Sequence, residues 1–409
     1  MFMRRYVIVL CAGLLLGSCG MHELGESARD DVHDGIWTGP GMNVGSSDPD
    51  RTVCYVTAMD YPDGYDWRAD REKGSVKCSL VVYADGIPMM KVPVGEEYQT
   101  SPDADMHRII CGHLYTDYST QEETVIRKDG KEIFRYSGRE VICGMLVDGD
   151  DVYTLGHPRD NGGFTYRRNG EILLSRPSGK TFSRLYRDGE DICFAFCEQA
   201  SSLSSPLERY YSVVNGVPEQ AALRDDVKKV WDMMYSDGKV HYIASLVGAR
   251  APVLFAGESM CVLTLPQGAS LLTGRLSVSQ GVVCVEGVLS CRNLALASAL
   301  WKSEELLYTF SPGMTVASWQ VEGDGVFCVL NSRSSSQKGV IYRCGEVSDL
   351  PQGYVSMGGN TVALADGIMH VGLSSVKGGK PLLWKEGVVD TLDINGYISS
   401  VIAEKQKRP

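Results

Sequence analysis

The feature that most restricts the fold is a repeat. At eight places a short apolar or aromatic strand ends in a two-residue turn, and a second short strand follows. The turns centre on Gly86, Gly130, Gly170, Gly216, Gly257, Glu304, Gly345 and Gly387, with sequences such as VVYADGIPMM, VIRKDGKEIF and TYRRNGEILL. Successive turns lie 40 to 47 residues apart. Asp-Gly and Asn-Gly are strong hairpin signals, because both central residues of the favoured turn need positive φ.

A second hairpin falls between the first set. Its turns are Cys111-Gly112, Asp148-Gly149, Asp188-Gly189, Asp237-Gly238, Gln280-Gly281, Asp324-Gly325 and Asp366-Gly367, followed by strands such as DVYTLG, DICFAF and VFCVLN. Each unit is therefore two hairpins, or four antiparallel strands, and no segment carries a 3.6-residue stripe. Four short strands at this period predict an all-β fold, a β-propeller of four-stranded antiparallel blades. One hairpin occurs eight times and the other seven. The first unit begins at TVCYVT without a strand before it, and the chain ends in the orphan strand GYISSVIA. The expectation is a ring of eight blades, or seven if one unit is degenerate, in which the C-terminal strand completes the first blade. Closure removes the free edges that invite aggregation.

The N-terminus has a different grammar. Met1-Phe2-Met3-Arg4-Arg5 precedes an apolar run from Tyr6 to Leu16 and then Gly17-Ser18-Cys19. A basic start, a short apolar core and small residues at the cut make a secretory signal, and the run falls short of the roughly 20 residues that span a bilayer. The ending Leu16-Gly17-Ser18-Cys19 resembles the lipobox of bacterial lipoproteins. That resemblance implies cleavage after residue 18 and lipid on Cys19, so that the chain is held on a membrane of the cell envelope, at the outer membrane, the surface or the periplasmic face. Two or more acyl chains anchor stably. Residues 19–50 are rich in Gly, Ser, Asp and Glu and read as a flexible tether, about 30 Å long as a coil. Residues 51–409 form the single propeller domain. Together, anchor and repeats resemble the propeller lipoproteins of Gram-negative bacteria, a likeness that covers nearly the whole mature chain and rests on structural repeats. The kelch pattern, the GH and WD pairs of WD40 blades and the Asp-box of sialidases are absent.

Composition excludes some partners. Removing Arg4 and Arg5 leaves 38 basic against 51 acidic side chains, a formal charge near −13 where the full chain has −11. Such a surface attracts neither nucleic acid nor anionic headgroups. Eleven cysteines remain after Cys19 and the signal are set aside. An exported chain with many cysteines suggests disulfides, but Cys54, Cys193, Cys284 and Cys328 hold the same place in the repeat and are kept apart by it. They read as small buried apolar residues. No CxxC or Cys/His spacing indicates a metal, and nothing implies a cofactor. The chain is expected to be a monomer.

Function is less legible. The tight turns occupy one end of every blade, so binding residues are expected on the longer loops at the other end. The first blade's loop, MDYPDGYDWRADREKGS, carries Tyr61, Tyr65 and Trp67, which could stack on sugars or anchor a protein. Against that stands packing beneath their own loop. The third blade's loop places His157, Arg159 and Asp160 between glycines, a set suited to acid-base work or carboxylate binding, or simply to a solvated turn. His241, His370, Trp301 and Trp384 sit at repeat positions and read as packed strand residues. No phosphate loop, GxSxG or HExxH appears. The expected role is a membrane-anchored binding or scaffold module for a glycan or protein partner; the alternative is a polysaccharide hydrolase or lyase with carboxylates at the channel mouth.

Overall fold

A computed structural model of the chain describes residues 37–38, 51–67, 78–94, 107–120, 122–158, 162–182, 184–199, 208–291, 295–334, 337–357 and 360–405. The signal sequence and Cys19 lie outside the described residues. The strands form eight antiparallel sheets arranged as a β-propeller, each with four strands running from the channel to the rim. Blades 2, 3, 5, 6 and 7 open with the innermost strands His107–Ile110, Glu140–Asp148, Val227–Ser236, Ser270–Ser279 and Met314–Glu322. In blades 4 and 8 the innermost strand is split, into Gly179–Thr181 and Tyr186–Asp188, and into Tyr354–Val355 and Val362–Ala365.

Blade 1 closes the ring as the repeat count required. Its innermost strand is the C-terminal Gly396–Lys405, paired with Thr52–Asp60 from Thr52 opposite Lys405 to Asp60 opposite Gly396. The next strands outward are Cys78–Ala84 and Ile87–Val94. Two glycines make this fit possible. A Cβ on Gly396 would stand 1.8 Å from the carbonyl oxygen of Met59, and one on Gly372 of blade 8 would stand 2.5 Å from Ile398.

One described strand lies ahead of residue 51. Trp37 and Thr38, placed in the tether by composition, pair antiparallel with Lys91 and Met90 as a fifth strand on the outer edge of blade 1. An outer strand exposes a row of unpaired backbone groups, and an extended segment can dock there whatever its side chains.

The tight turns follow their sequences, with one correction. Asp85, Asp129, Asn169 and Asn215 take φ of 49 to 52°, each followed by a glycine with positive φ. Each also accepts a backbone N–H from the neighbouring strand on its side-chain oxygen, from Cys54, Leu114, Val152 and Ile192 in turn, at 2.8 to 3.0 Å. This second role explains why Asp and Asn recur there. At three other turns the paired residues are Asp148 with Asp151, Asp188 with Asp191 and Glu322 with Gly325. The turn residues are therefore Gly149-Asp150, Gly189-Glu190 and Gly323-Asp324, with the single positive φ on the leading glycine. Here the sequence signal was right about the hairpin and one residue out in its register.

Packing repeats with the blades. Eight apolar clusters, one per blade interface, hold the sheets face to face. Trp301 is fully buried between blades 5 and 6, its Nε1–H donated to Thr264 O. Cys54, Cys193, Cys284 and Cys328 are buried as the repeat predicted. Burial pushes the Cys54 and Cys193 thiols up to about 12 and Cys284 to about 11, so they act as neutral packing groups. His241 and His370 are buried strand residues, as read, and desolvation lowers the pKa of each.

Carboxylates stitch the turn end. Glu404 of the closing strand accepts both turn N–H groups of Cys111 and Gly112 in blade 2, each at 3.0 Å. Asp188 of blade 4 accepts from Asp237 N–H and Ser236 Oγ of blade 5. Asp366 of blade 8 accepts from Thr52 Oγ1 at 2.6 Å. At the other end of the closure, Ser399 donates to Thr57 O at 2.9 Å, which leaves its oxygen to accept Nε2–H of the buried His107 at 2.6 Å.

That ring makes closure pH-sensitive. Burial, then the neighbouring Arg108, lowers the His107 pKa from 6.5 to about 4. A folded pKa below the unfolded one gives stability that is complete above 6.5 and lost as pH falls towards 4. Asp232, which burial raises from 3.8 to about 7, acts in the opposite sense, losing its contribution as pH rises through that range. Comparison with a variant isolates the histidine. We expect wild type to lose more stability than His107→Gln between pH 6.5 and 4.5, by up to about 1.4 kcal/mol per pH unit, in chemical denaturation series; parallel curves would contradict it.

Candidate functional site

The loop end of blade 1 is built around its closing strand. Asp60 ends the second strand, and its Oδ1 accepts Asn395 N–H at 3.0 Å. Tyr61 N–H donates to Asn395 O at 2.9 Å. The Asn395 amide donates to Pro62 O at 2.7 Å and to Tyr65 O at 3.1 Å. One asparagine, placed directly before the C-terminal strand, thus fixes both sides of the loop.

Beneath it, four rings gather. Trp67 is 4% exposed and lies against Tyr397 of the closing strand, with centroids 4.9 Å apart and planes tilted by 44°. Tyr61 stacks near Trp67 at 6.2 Å and 10°, and Tyr65 meets Tyr61 at 5.6 Å and 31°. The predicted trio therefore divides. Trp67 is part of the blade 1 core, and Tyr61 and Tyr65 remain half-buried above it. The sequence gives no sign of which ring goes under, since that depends on Tyr397, more than 300 positions away.

His157 lies at the end of Asp151–Pro158, away from these rings. Its Nδ1–H donates to Gly163 O at 2.7 Å, and its Nε2 accepts from the Thr181 hydroxyl of blade 4 at 3.1 Å. Nδ1 is engaged within blade 3, and Nε2 joins blade 3 to blade 4. Gly163 has φ of 74°, and a Cβ there would stand 2.0 Å from Arg176 O, so the loop folds back tightly. Arg159 and Asp160 lie outside the described residues.

Sequence reading missed the buried acidic groups, three of which hold strands together. Glu140 pairs with Arg167 at 2.7 Å, with side chains only 4% and 9% exposed. The guanidinium sits 4.0 Å from the centre of the Tyr136 ring of blade 2. Gly156 makes room: a Cβ there would stand 2.6 Å from Glu140 Oε2. Asp232 of blade 5 accepts N–H from Met233 at 2.8 Å and from Leu276 of blade 6 at 2.7 Å. Glu286 of blade 6 accepts from Arg275 Nε at 2.7 Å. Each carboxylate is committed to holding strands together, whereas acid-base cleavage of a glycosidic bond needs two carboxyl groups flanking a space for substrate. A charged residue at a strand position that should face a neighbouring blade was the available signal, but the partner is set by tertiary contact.

No protein-family model and no curated protein matches the chain. Solved structures are similar in fold. The β-propeller domain of the trilobed protease from Pyrococcus furiosus, described as having an open velcro topology, is 12% identical, with a TM-score of 0.43 over 74% of this chain and 94% of that one. Dihydro-heme d1 dehydrogenase NirN in complex with DHE is 12% identical, with a TM-score of 0.49 over 88% and 76%. An acylaminoacyl peptidase from Pyrococcus horikoshii is 8% identical, with a TM-score of 0.43 over 87% and 63%. At such identities the likeness is one of fold alone.

The Asn395 geometry predicts a local effect. Asn395→Ala leaves two carbonyls without their donor and should cost about 2 kcal/mol. Hydrogen exchange should quicken across residues 61–67 and stay unchanged at the rim of blades 4 to 6. Uniform loss of protection would instead show that the asparagine supports the whole ring.

Proposed function

We propose that the chain is a lipid-anchored binding module of the cell envelope, whose loop face at blade 1 holds a glycan or protein partner. A β-propeller supports a binding or scaffold role in general. The observation that carries the finer reading is the Tyr61–Tyr65 pair, set over a buried Trp67–Tyr397 base and fixed by Asn395. Aromatic rings held rigidly lose little conformational entropy on binding, and tyrosine joins a flat apolar face to a polar tip. The anchor rests on the order of basic, apolar and small residues before Cys19.

Two variants test the two halves. Metabolic labelling with an alkynyl fatty acid should mark the wild type and not Cys19→Ala, and equal labelling would remove the anchor. The double variant Tyr61→Ala/Tyr65→Ala spares Trp67, so the core remains intact. It should lose by about tenfold or more the affinity for a partner found in a glycan and envelope-protein screen. If it keeps every interaction of the wild type, the blade 1 shelf is not the site.

A further inference from the structure

The innermost strands Val227–Ser236 of blade 5 and Ser270–Ser279 of blade 6 lie side by side, each paired on one edge only and facing the channel with the other. Each departs from regular pairing. The register shifts between Val230 and Asp232, and again between Leu271 and Thr273. A bulge turns its extra residue out of the sheet's alternation, and the extra residues here are Trp231 and Leu272. They meet: Trp231 Nε1–H donates to Leu272 O at 3.0 Å. The indole is thereby fixed at one edge and half-buried against the cluster between the two blades.

The groups around it are basic. Lys229 Nζ lies 5.4 Å from the indole ring, and its neighbour Lys228 is exposed at a further register shift. Among the described residues neither lysine has an acidic partner. Arg275 follows Leu272 by three positions, roughly 10 Å along the strand. Its Nε is held by the buried Glu286, while the side chain is 52% exposed. Asp232 beside it faces inward onto two N–H donors. Burial raises its carboxyl to about 7, which weakens its negative charge beside the patch. In a chain of formal charge −11, a cationic patch at the channel is a departure from the rest of the surface.

We infer that this edge, with Trp231, Lys228, Lys229 and Arg275, is a binding site for an anionic saccharide. An indole face stacks on the C–H face of a sugar ring. The ammonium groups beside it, with the exposed Arg275 guanidinium farther along the channel edge, bind carboxylate or sulfate through charge-assisted hydrogen bonds. The site goes beyond the blade 1 shelf and shares no residue with it.

The probe is a tetragalacturonate titrated into the full chain, with a heparin-derived tetrasaccharide as the sulfate counterpart. Neutral cellotetraose and inorganic tripolyphosphate separate ring from charge. Binding of either anionic tetrasaccharide should weaken about tenfold in Lys228→Gln/Lys229→Gln and about tenfold in Trp231→Ala, and should weaken with added salt. Trp231→Phe keeps a ring and should lose less, and with the lysine pair it carries the test if Trp231→Ala melts early. Tyr61→Ala/Tyr65→Ala should bind these probes as the wild type does. The inference fails if neither anionic tetrasaccharide binds, if the lysine and tryptophan variants bind unchanged, or if tripolyphosphate binds as tightly and Trp231 is irrelevant. Binding lost only in the tyrosine double variant would overturn this site and favour the blade 1 shelf.

Discussion

Every contact in the ring presupposes one pairing, that of Gly396–Lys405 with Thr52–Asp60. Four-stranded blades bury their faces only against neighbours, so a ring with a gap would leave two apolar faces open. The closing strand also carries much of the surrounding chemistry. Glu404 caps the turn of blade 2, Ser399 receives His107, Tyr397 floors the aromatic cluster, and the residue before the strand, Asn395, pins the loop above. Apolar pairing, a polar latch and the floor of the aromatic cluster thus depend on the same ten residues.

The eight blade interfaces are not equivalent. Between blades 2 and 3 the apolar cluster is reduced to Tyr115, Ile126, Ile142, Met145 and Val152. Glu140, Arg167 and the Tyr136 ring fill the space that aliphatic side chains fill elsewhere. A buried pair of this kind gains little over well-packed hydrophobes, yet losing one member strands a charge at a cost of about 3–5 kcal/mol. It confers specificity of fit more than net stability, because only one alignment of blade 2 on blade 3 brings the guanidinium onto both the carboxylate and the ring.

The fold was legible because it is local. Hairpin turns are written in adjacent residues, as Asp129-Gly130 and Asn215-Gly216 show, and their spacing gave blade number and closure. Where the reading slipped, at Gly149-Asp150 and its equivalents, two turn types compete for the same letters and only the pairing of Asp148 with Asp151 decides. The candidate sites were less legible because they are not local. The rings of Tyr61, Tyr65 and Trp67 read either as a binding set or as packing beneath their loop, and the burial of Trp67 depends on Tyr397 at the far end of the chain. Trp231 escaped notice because nothing in VKKVWDMMYS marks a bulge; the shift is visible only against the partner strand Lys239–Leu246.

The short strand Trp37–Thr38 has a mechanical meaning. It runs antiparallel to Ile87–Val94, so it enters at the loop end of the rim, whereas Thr52–Asp60 begins at the opposite, turn end. A pull on the chain ahead of Trp37 meets this two-residue pairing first. Only after that pairing peels away does the load pass to Thr52–Asp60, the strand that holds the ring shut. The outer edge of blade 1 therefore serves as a detent that yields before the closure does.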